Sequence, residues 1–442
     1  MNWAKEEFKT LDLGDERRNA RAVLLAHRLA GKPTESIPNA CNGWAETQAA
    51  YRFLSNPRSD WQALLQSHWS SSMQRMRAHE VVLNIQDTTE LDFNGRQAKG
   101  LGPLSYEAQR GMYLHPTYAI SACREPLGVL DAWMWARDCQ AADGKRSGIK
   151  ESERWIEGYE RVAERALELP QVRQVYVADR EADIVALLVR AKELNHAADY
   201  LIRCQHDRAL PEGGKLWARL SQAPVLGQVR FELPAGRGRQ ARTVMQRIRT
   251  ERIDIRDGAK GSLSVTCVLA EEIEPPAGVK PVVWRLLSNR AVDALEQAVE
   301  LVDWYRARWE IELFFLILKE GCRIEALQLG DRERIETALA LYMVVAWRIN
   351  QLMRLGRTLP ELTADVLLEV DEWKAAYVLN KKPVPKKTPA LREVIRLIAQ
   401  LGGFLGRKSD GEPGAKTLWL GLRDVAVFVN GMRAMRDTQS CV

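Results

Sequence analysis

Histidine and cysteine are scarce, with six and seven copies among 442 residues. The cysteines are Cys41, Cys123, Cys139, Cys204, Cys267, Cys322 and Cys441, and none forms a Cys-x-x-Cys pair. An odd, scattered set with so few histidines nearby lacks the ligand spacing of a structural zinc site. It suits a reducing compartment. Long apolar runs are also missing. The longest, Ala338 to Trp347, is too short to cross a bilayer. Glu6 and Glu7 stand where a secretion signal needs an apolar stretch. The expectation is a soluble cytoplasmic protein with no membrane partner. Extreme charge is absent too: the net charge of +6 points only weakly to an acidic partner such as DNA. There is no internal repeat and no low-complexity tract.

What is present is ordinary globular material. Hydrophobic content of 46% and charged content of 28% allow a sizeable core. The length allows two or three domains.

Residues 1 to about 60 read as helical. Asp15 can cap a helix carrying Arg17, Arg18 and Arg21 and then Val23, Leu24, Leu25 and Leu29. A second helix runs from Trp44 to Leu54 and stops at Asn56-Pro57. Two short helices with exposed arginines suit a small DNA-binding module. They equally fit a helical lead-in with solvated arginines.

The next region alternates strands and helices. Val81 to Gln86 reads as a buried strand ending at Asp87. Tyr118–Cys123 and Val129–Trp135 read as two more strands, followed by a charged helix from Glu151 to Leu167. A short strand, Val175–Ala178, ends at Asp179. A helix from about Ala182 to Leu194 leads to the strand Tyr200–Arg203. This order predicts an α/β fold, a mixed sheet with helices on both faces. From about 210 to 290 the pattern is all strand: Gln228–Leu233, Val244–Ile255, Ser264–Leu269 and Val282–Leu287. It reads as an antiparallel β insertion with one wet face. A helix from near Val292 follows and runs through Tyr305 to Lys319; a second spans Ile335–Leu352. Asn380 to Lys387 is a basic, proline-broken linker, after which Thr388-Pro389 offers a cap for a helix over Ala390–Leu401. The resulting division is 1–60, 61–355 and 356–442.

Three acidic positions stand out. Asp87 and Asp179 each end an apolar strand. If those strands are neighbours and run the same way, both carboxylates emerge at one sheet edge, where ligands of open α/β sheets gather. Two close carboxylates repel unless a cation sits between them. Oxygen ligands suit Mg²⁺ or Mn²⁺. Either aspartate alone reads as readily as a cap. The third position is Glu312, in Tyr305-x-x-Arg308-x-x-x-Glu312-x-x-x-x-x-x-Lys319. On an unbroken helix these offsets share one face. Tyr305, Arg308 and Lys319 are donors suited to phosphates. The alternative is an exposed stripe with an ordinary Arg308–Glu312 pair. Against it, Leu313 to Leu318 is wholly apolar.

Asp179-Arg180-Glu181-Ala182-Asp183 and the Tyr-Arg-Glu-Lys spacing resemble the signature of bacterial DDE transposases of insertion sequences, and most closely the branch that excises its element through DNA hairpins. The resemblance covers nearly the whole chain. Leu13-Gly14-Asp15, Arg17-Arg18, Ala20-Arg21 and Tyr51-Arg52-Phe53 resemble the family's end-binding domain. Asp87-Thr88-Thr89 resembles its first catalytic aspartate. Leu401-Gly402-Gly403-Phe404 with Trp419 resembles its C-terminal dimerisation domain. Leu313, Phe315 and Leu316 depart from the more polar residues of the best-known member.

The resemblance implies an RNase H-like core and helical N- and C-terminal domains. It implies that Asp87, Asp179 and Glu312 bind two divalent ions, Mg²⁺ or Mn²⁺. It implies nicking, hairpin formation, hairpin opening and transfer to target DNA. Trp284 matches the family's base-stacking tryptophan, although a cross-strand aromatic fits it too. Tyr305 and Arg308 would hold the flipped nucleotide's phosphate, with Lys319 and Arg203 as further contacts and Arg18 and Arg21 in the end-binding helix. The implied partners are double-stranded element ends, target DNA and a second copy of the chain. The implied location is the bacterial cytoplasm, at the nucleoid when acting. Two alternatives remain at this point: an RNase H-like nuclease that cuts without joining, and a non-catalytic DNA-binding relative.

Overall fold

Eleven strands and fourteen α-helices form among the described residues of the computed structural model, which are 3–140, 146–233, 240–258 and 261–439. The strands are β1 (Val81–Gln86), β2 (Thr89–Asp92), β3 (Gly102–Pro103), β4 (Arg110–Ser121), β5 (Pro126–Trp135), β6 (Arg173–Ala178), β7 (Asp199–Arg203), β8 (Val225–Leu233), β9 (Arg242–Arg256), β10 (Ser262–Glu272) and β11 (Val283–Ser288). Helices α1 (Trp3–Glu7), α2 (Glu16–Gly31), α3 (Ile37–Ala40), α4 (Trp44–Leu54) and α5 (Trp61–Met76) precede the first strand. After β5 come α6 (Glu151–Glu168), α7 (Val185–Glu193), α8 (Leu216–Gln222), α9 (Leu295–Ala307), α10 (Trp309–Leu316), α11 (Arg332–Thr358), α12 (Val370–Leu379), α13 (Leu391–Leu401) and α14 (Ala415–Gln439). Cys41, Cys123, Cys139, Cys204, Cys267 and Cys322 are all free thiols. Cys441, Met1 and Asn2 lie outside the described residues.

The chain divides into two units. One comprises residues 79–87 and 149–309. Its strands follow the order β1-β6-β7-β11-β10-β9-β8. β1, β6 and β7 are parallel; β11 joins β7 antiparallel and the rest continue antiparallel. The β insertion thus extends the sheet instead of standing apart from it, and it also contains α8, which the strand pattern hid. β1 is buried from Val82 to Gln86, as expected of a parallel strand covered on both faces. The buried Asn84 amide donates to Gln174 Oε1 at 2.9 Å, a polar tie that pins β1 against β6. Helix α6 crosses β1 at Gly158, where a Cβ would fall 2.0 Å from Gln86 Oε1. Trp155, Tyr159, Tyr176, Leu187, Leu188 and Tyr200 belong to one core cluster of this unit.

The other unit comprises residues 1–78, 88–148 and 310–442. Strands β2, β3 and β5 all pair antiparallel with β4. Helix α11 is buried almost continuously from Ile335 to Asn350, which explains the apolar run at Ala338–Trp347. No helix among the described residues is long and apolar enough to cross a membrane. Helix α5 packs on α11 and β5 through small and polar residues. Ser67 and Ser71 donate to the Glu7 carbonyl of α1, each at 3.2 Å. Glu7 also accepts from Arg75 at 2.9 Å and meets His68 Nδ1 at 2.5 Å. The Val129 N–H donates to His68 Nε2 at 3.0 Å, so that nitrogen is unprotonated and Nδ1 carries the ring proton toward Glu7.

Several local expectations change. Asp15 does cap α2, accepting from Arg17 N at 2.8 Å. Arg18 and Arg21 are half-buried, not exposed, and Arg18 donates to the Leu13 carbonyl. Thr388 does not cap α13. Its N-cap is Ala390, because residues 389–391 run extended against 362–364: Pro389 O accepts from Ala364 N and Leu391 N donates to Leu362 O. The long helix expected through Lys319 is irregular, although Arg308 and Leu316 keep helical backbone angles. Arg308 forms a turn between α9 and α10, and Ile317–Gly321 is a π turn closed by the Cys322 N–H to the Ile317 carbonyl at 2.8 Å.

Candidate active site

Parallel strands in register place their next residues side by side. Gln86 pairs with Ala178 in the β1–β6 ladder. Asp87 and Asp179 follow immediately and leave the sheet at the same edge. Asp179 turns into a short 3₁₀ segment, Arg180–Ala182, and its Oδ1 accepts from Glu181 N at 2.8 Å. The capping role considered for it is thus present, and it uses one oxygen.

Asp87 is held from another direction. Arg308 Nη1 donates to Asp87 Oδ2 at 2.6 Å, with both side chains largely buried. Tyr305, one helical turn before Arg308, is buried. Burial raises its hydroxyl above the ordinary value; the Arg308 and Arg203 cations oppose this, a hydrogen bond from Arg203 among their effects, and the Asp179 charge adds to it. Tyr305 is therefore a neutral phenol near pH 7, within electrostatic reach of Arg308, Arg203 and Asp179. Arg203 ends β7, next to β6 in the sheet.

An aromatic stack adjoins this group. The Trp284 ring on β11 stacks on Phe231 of β8, with centroids 5.5 Å apart and planes 21° apart. It meets Tyr305 edge-on at 6.0 Å. The Arg306 guanidinium covers Phe231 at 4.4 Å. Trp284 is half-buried, so the cross-strand packing considered for it is realised while part of the ring remains accessible. Phe231 and Arg306 had no sequence signal that marked them. Asp183 did stand in the quoted Asp-Arg-Glu-Ala-Asp run, but its partners lie far along the chain.

Glu312 and Lys319 belong to the other unit. Glu312 stands on α10, four residues after Arg308 in sequence. Lys319 lies on the π turn, where its ammonium donates to the Glu90 carbonyl and pairs with Glu325 at 3.4 Å. Glu325 in turn accepts from Asp92 N at 3.0 Å.

The donors at the strand ends are carboxylate oxygens, which fit a hard divalent cation in type. Among the described residues no three His, Cys, Asp or Glu side chains are gathered closely enough to hold a metal as they stand. What the arrangement offers is an adjacent pair of carboxylate positions, a cation already against one of them, and a buried donor beside a half-open aromatic ring. Such a set can bind a phosphate, hold an unstacked base and assist phosphoryl transfer.

Three family models match the chain in succession. Residues 1–59 match the transposase DNA-binding family, 139–348 the transposase DDE domain, and 344–441 the transposase Tn5 dimerisation domain. The DDE match implies an RNase H-like fold, in keeping with the mixed α/β sheet, together with phosphoryl transfer on DNA and a general dependence on divalent metal. The outer two matches make DNA and a second copy of the chain its partners. Asp179, Arg203, Trp284, Tyr305, Arg308, Glu312 and Lys319 fall inside the DDE range, and Arg18 and Arg21 inside the DNA-binding range. Asp87 falls in neither, so its place rests on the pairing of β1 with β6.

Proposed function

The chain belongs to the DDE transposases of insertion sequences, and we propose that it works by cut-and-paste: it nicks each element end, closes a hairpin, opens it and joins the freed end to target DNA. The observation that supports this most is the departure of Asp87 and Asp179 from adjacent ends of β1 and β6, with Arg308 donating to Asp87.

Asp87, Asp179 and Glu312 are the residues we assign to hold divalent ions, two Mg²⁺ or Mn²⁺ per site. When bound, such ions activate the attacking oxygen and stabilise the leaving 3′ oxygen. The side chains do the rest. Tyr305 and Arg308 hold the flipped nucleotide's phosphate, Arg203 and Lys319 make further DNA contacts, and Arg18 and Arg21 hold the element end. In the first step water displaces the 3′ oxygen of one strand and leaves a 3′-hydroxyl. That hydroxyl then attacks the opposite strand, so no covalent protein–DNA bond forms. A tight hairpin expels a base, and the accessible part of the Trp284 ring can stack on it, worth about 1–3 kcal/mol. Residues 1–60 serve as the end-binding domain, 61–355 as the catalytic domain and 356–442 as the dimerisation domain. In the synaptic homodimer each subunit cuts DNA bound mainly by the other. The enzyme acts at the DNA of the bacterial cytoplasm.

Purified protein, duplex oligonucleotides copied from the ends of its own element, and Mg²⁺ test the reading on a denaturing gel. Nicks, hairpins and joined products are expected. Nicks alone would instead mark an RNase H-like nuclease. No effect of Mg²⁺ on the DNA would mark a non-catalytic DNA-binding relative.

A further inference from the structure

The last residue of the Asp179-Arg180-Glu181-Ala182-Asp183 run is an acid as well, and its surroundings are unlike those of Asp179. Asp183 is 3% exposed. Its Oδ2 accepts from Gln205 N at 2.7 Å, from His206 N at 2.9 Å and from Arg208 Nη1 at 3.0 Å. Its Oδ1 accepts from Arg208 Nη2 at 2.5 Å, and the same Nη2 reaches the Asp183 carbonyl at 3.1 Å. The guanidinium is nearly buried, its side chain 10% exposed. Both carboxylate oxygens are thus engaged by fixed donors, an arrangement that anchors a segment and leaves little capacity for a metal.

The anchored segment matters for its position. Gln205 is two residues past Arg203, and the intervening Cys204 N–H donates to the Arg285 carbonyl at 2.7 Å. Arg285 is the neighbour of Trp284 on β11. Asp179 is fixed by β6 and by its own turn, which Asp183 closes through its backbone N–H to the Arg180 carbonyl and not through its carboxylate. Residues 204–206, which follow Arg203 as it leaves the sheet, are held by the Arg285 carbonyl on one side and by Asp183 on the other.

We propose that Asp183, through its two-pronged pair with Arg208, is a positioning residue that sets Arg203 against Tyr305, whose ring in turn meets Trp284, and so sets the grip on the expelled nucleotide. This rests on the reading of Arg203 as a nucleotide contact. Loss of the anchor misplaces Arg203 and spares the Asp179 turn. The hairpin step therefore suffers more than the first nick. A displacement on the scale of an ångström can cost on the order of 100-fold in a positioned step.

The test uses the full-length protein and element-end duplexes already nicked at the junction, with 2-aminopurine beside the nick. Asp183→Asn is compared with wild type and with Arg203→Ala, after circular dichroism and gel shift establish folding and end binding. For D183N we expect end binding like wild type, a 2-aminopurine signal reduced toward that of R203A, and a hairpin-to-nick ratio lowered by roughly 10- to 100-fold. If D183N does not fold, Arg208→Lys decides, since it keeps both charges and loses the fork; a smaller drop in the same ratio is expected. Wild-type fluorescence and ratio in the folded variant, with R203A defective, overturn the inference. If R203A itself behaves as wild type, the assignment of Arg203 falls instead.

Discussion

Arg308 Nη1 and Asp87 Oδ2 lie 2.6 Å apart across 221 residues of sequence. The side chain we assign to a phosphate thus rests on the carboxylate we assign to a metal. A guanidinium on a carboxylate oxygen competes with any other cation for that oxygen.

Arg308→Gln removes that competitor and also a phosphate donor. Its maximal nicking rate should fall by about 10- to 100-fold, in the range of losing one preorganised donor. The Mg²⁺ concentration for half-maximal nicking should fall as well. Single-turnover nicking across a Mg²⁺ titration separates the two effects. An unchanged or higher half-saturation would contradict competition at Asp87.

Gly158→Ala should destabilise the protein. In an open helix the change would gain about 1 kcal/mol. Here the new Cβ meets the fully buried Gln86 amide at 2.0–2.5 Å, and overpacking of this kind costs about 1–3 kcal/mol. Because Gln86 directly precedes Asp87, nicking should slow together with a lower Tm. A raised Tm with wild-type nicking would show that Gln86 moves aside freely.

Acid should weaken the fold through Glu7 and His68. Burial would raise the Glu7 carboxyl, but His68 and Arg75 reverse this and hold it at about 2, below its ordinary 4.5. Burial lowers His68 below its ordinary 6.5 despite Glu7. Both folded values are depressed, so the stability each contributes is present above its ordinary value and is lost as the pH falls toward the folded one. His68 therefore begins to cost stability below about 6.5, and Glu7 adds its loss between 4.5 and about 2. The urea midpoint should fall from pH 7.5 to pH 4. Glu7→Gln should start lower and, below pH 4.5, fall less steeply. Parallel curves for the two proteins would rule out Glu7 as the source.

The parts legible in the sequence were those that repeat locally. Apolar runs closed by Asp87 and Asp179 marked two strand ends, and the alternation over 228–287 marked the antiparallel strands. What escaped depends on distant partners or on polar burial. Helix α5 was not expected at all: its inner face carries Ser67, His68 and Ser71, which are buried because Glu7 and Val129 supply their partners, and Ser72, which donates to the His68 carbonyl. The apolar stretch Leu313–Leu318 gave no sign that the helix widens into a π turn at Ile317. Lys319 read as a phosphate donor from its spacing, while its contacts with Glu90 and Glu325 required the fold. Asp183 was in plain view as a residue, but its bonds to Gln205, His206 and Arg208 were not.

We have proposed that Asp87, Asp179 and Glu312 together run metal-dependent cleavage. Nicking of element-end duplexes by Asp87→Ala, Asp179→Ala and Glu312→Ala, each shown by gel shift to bind the ends, measures it most directly. Every one of the three is expected to lose nicking by on the order of 1,000-fold or more at any Mg²⁺ concentration. Cleavage by Asp179→Ala at the wild-type rate would contradict it.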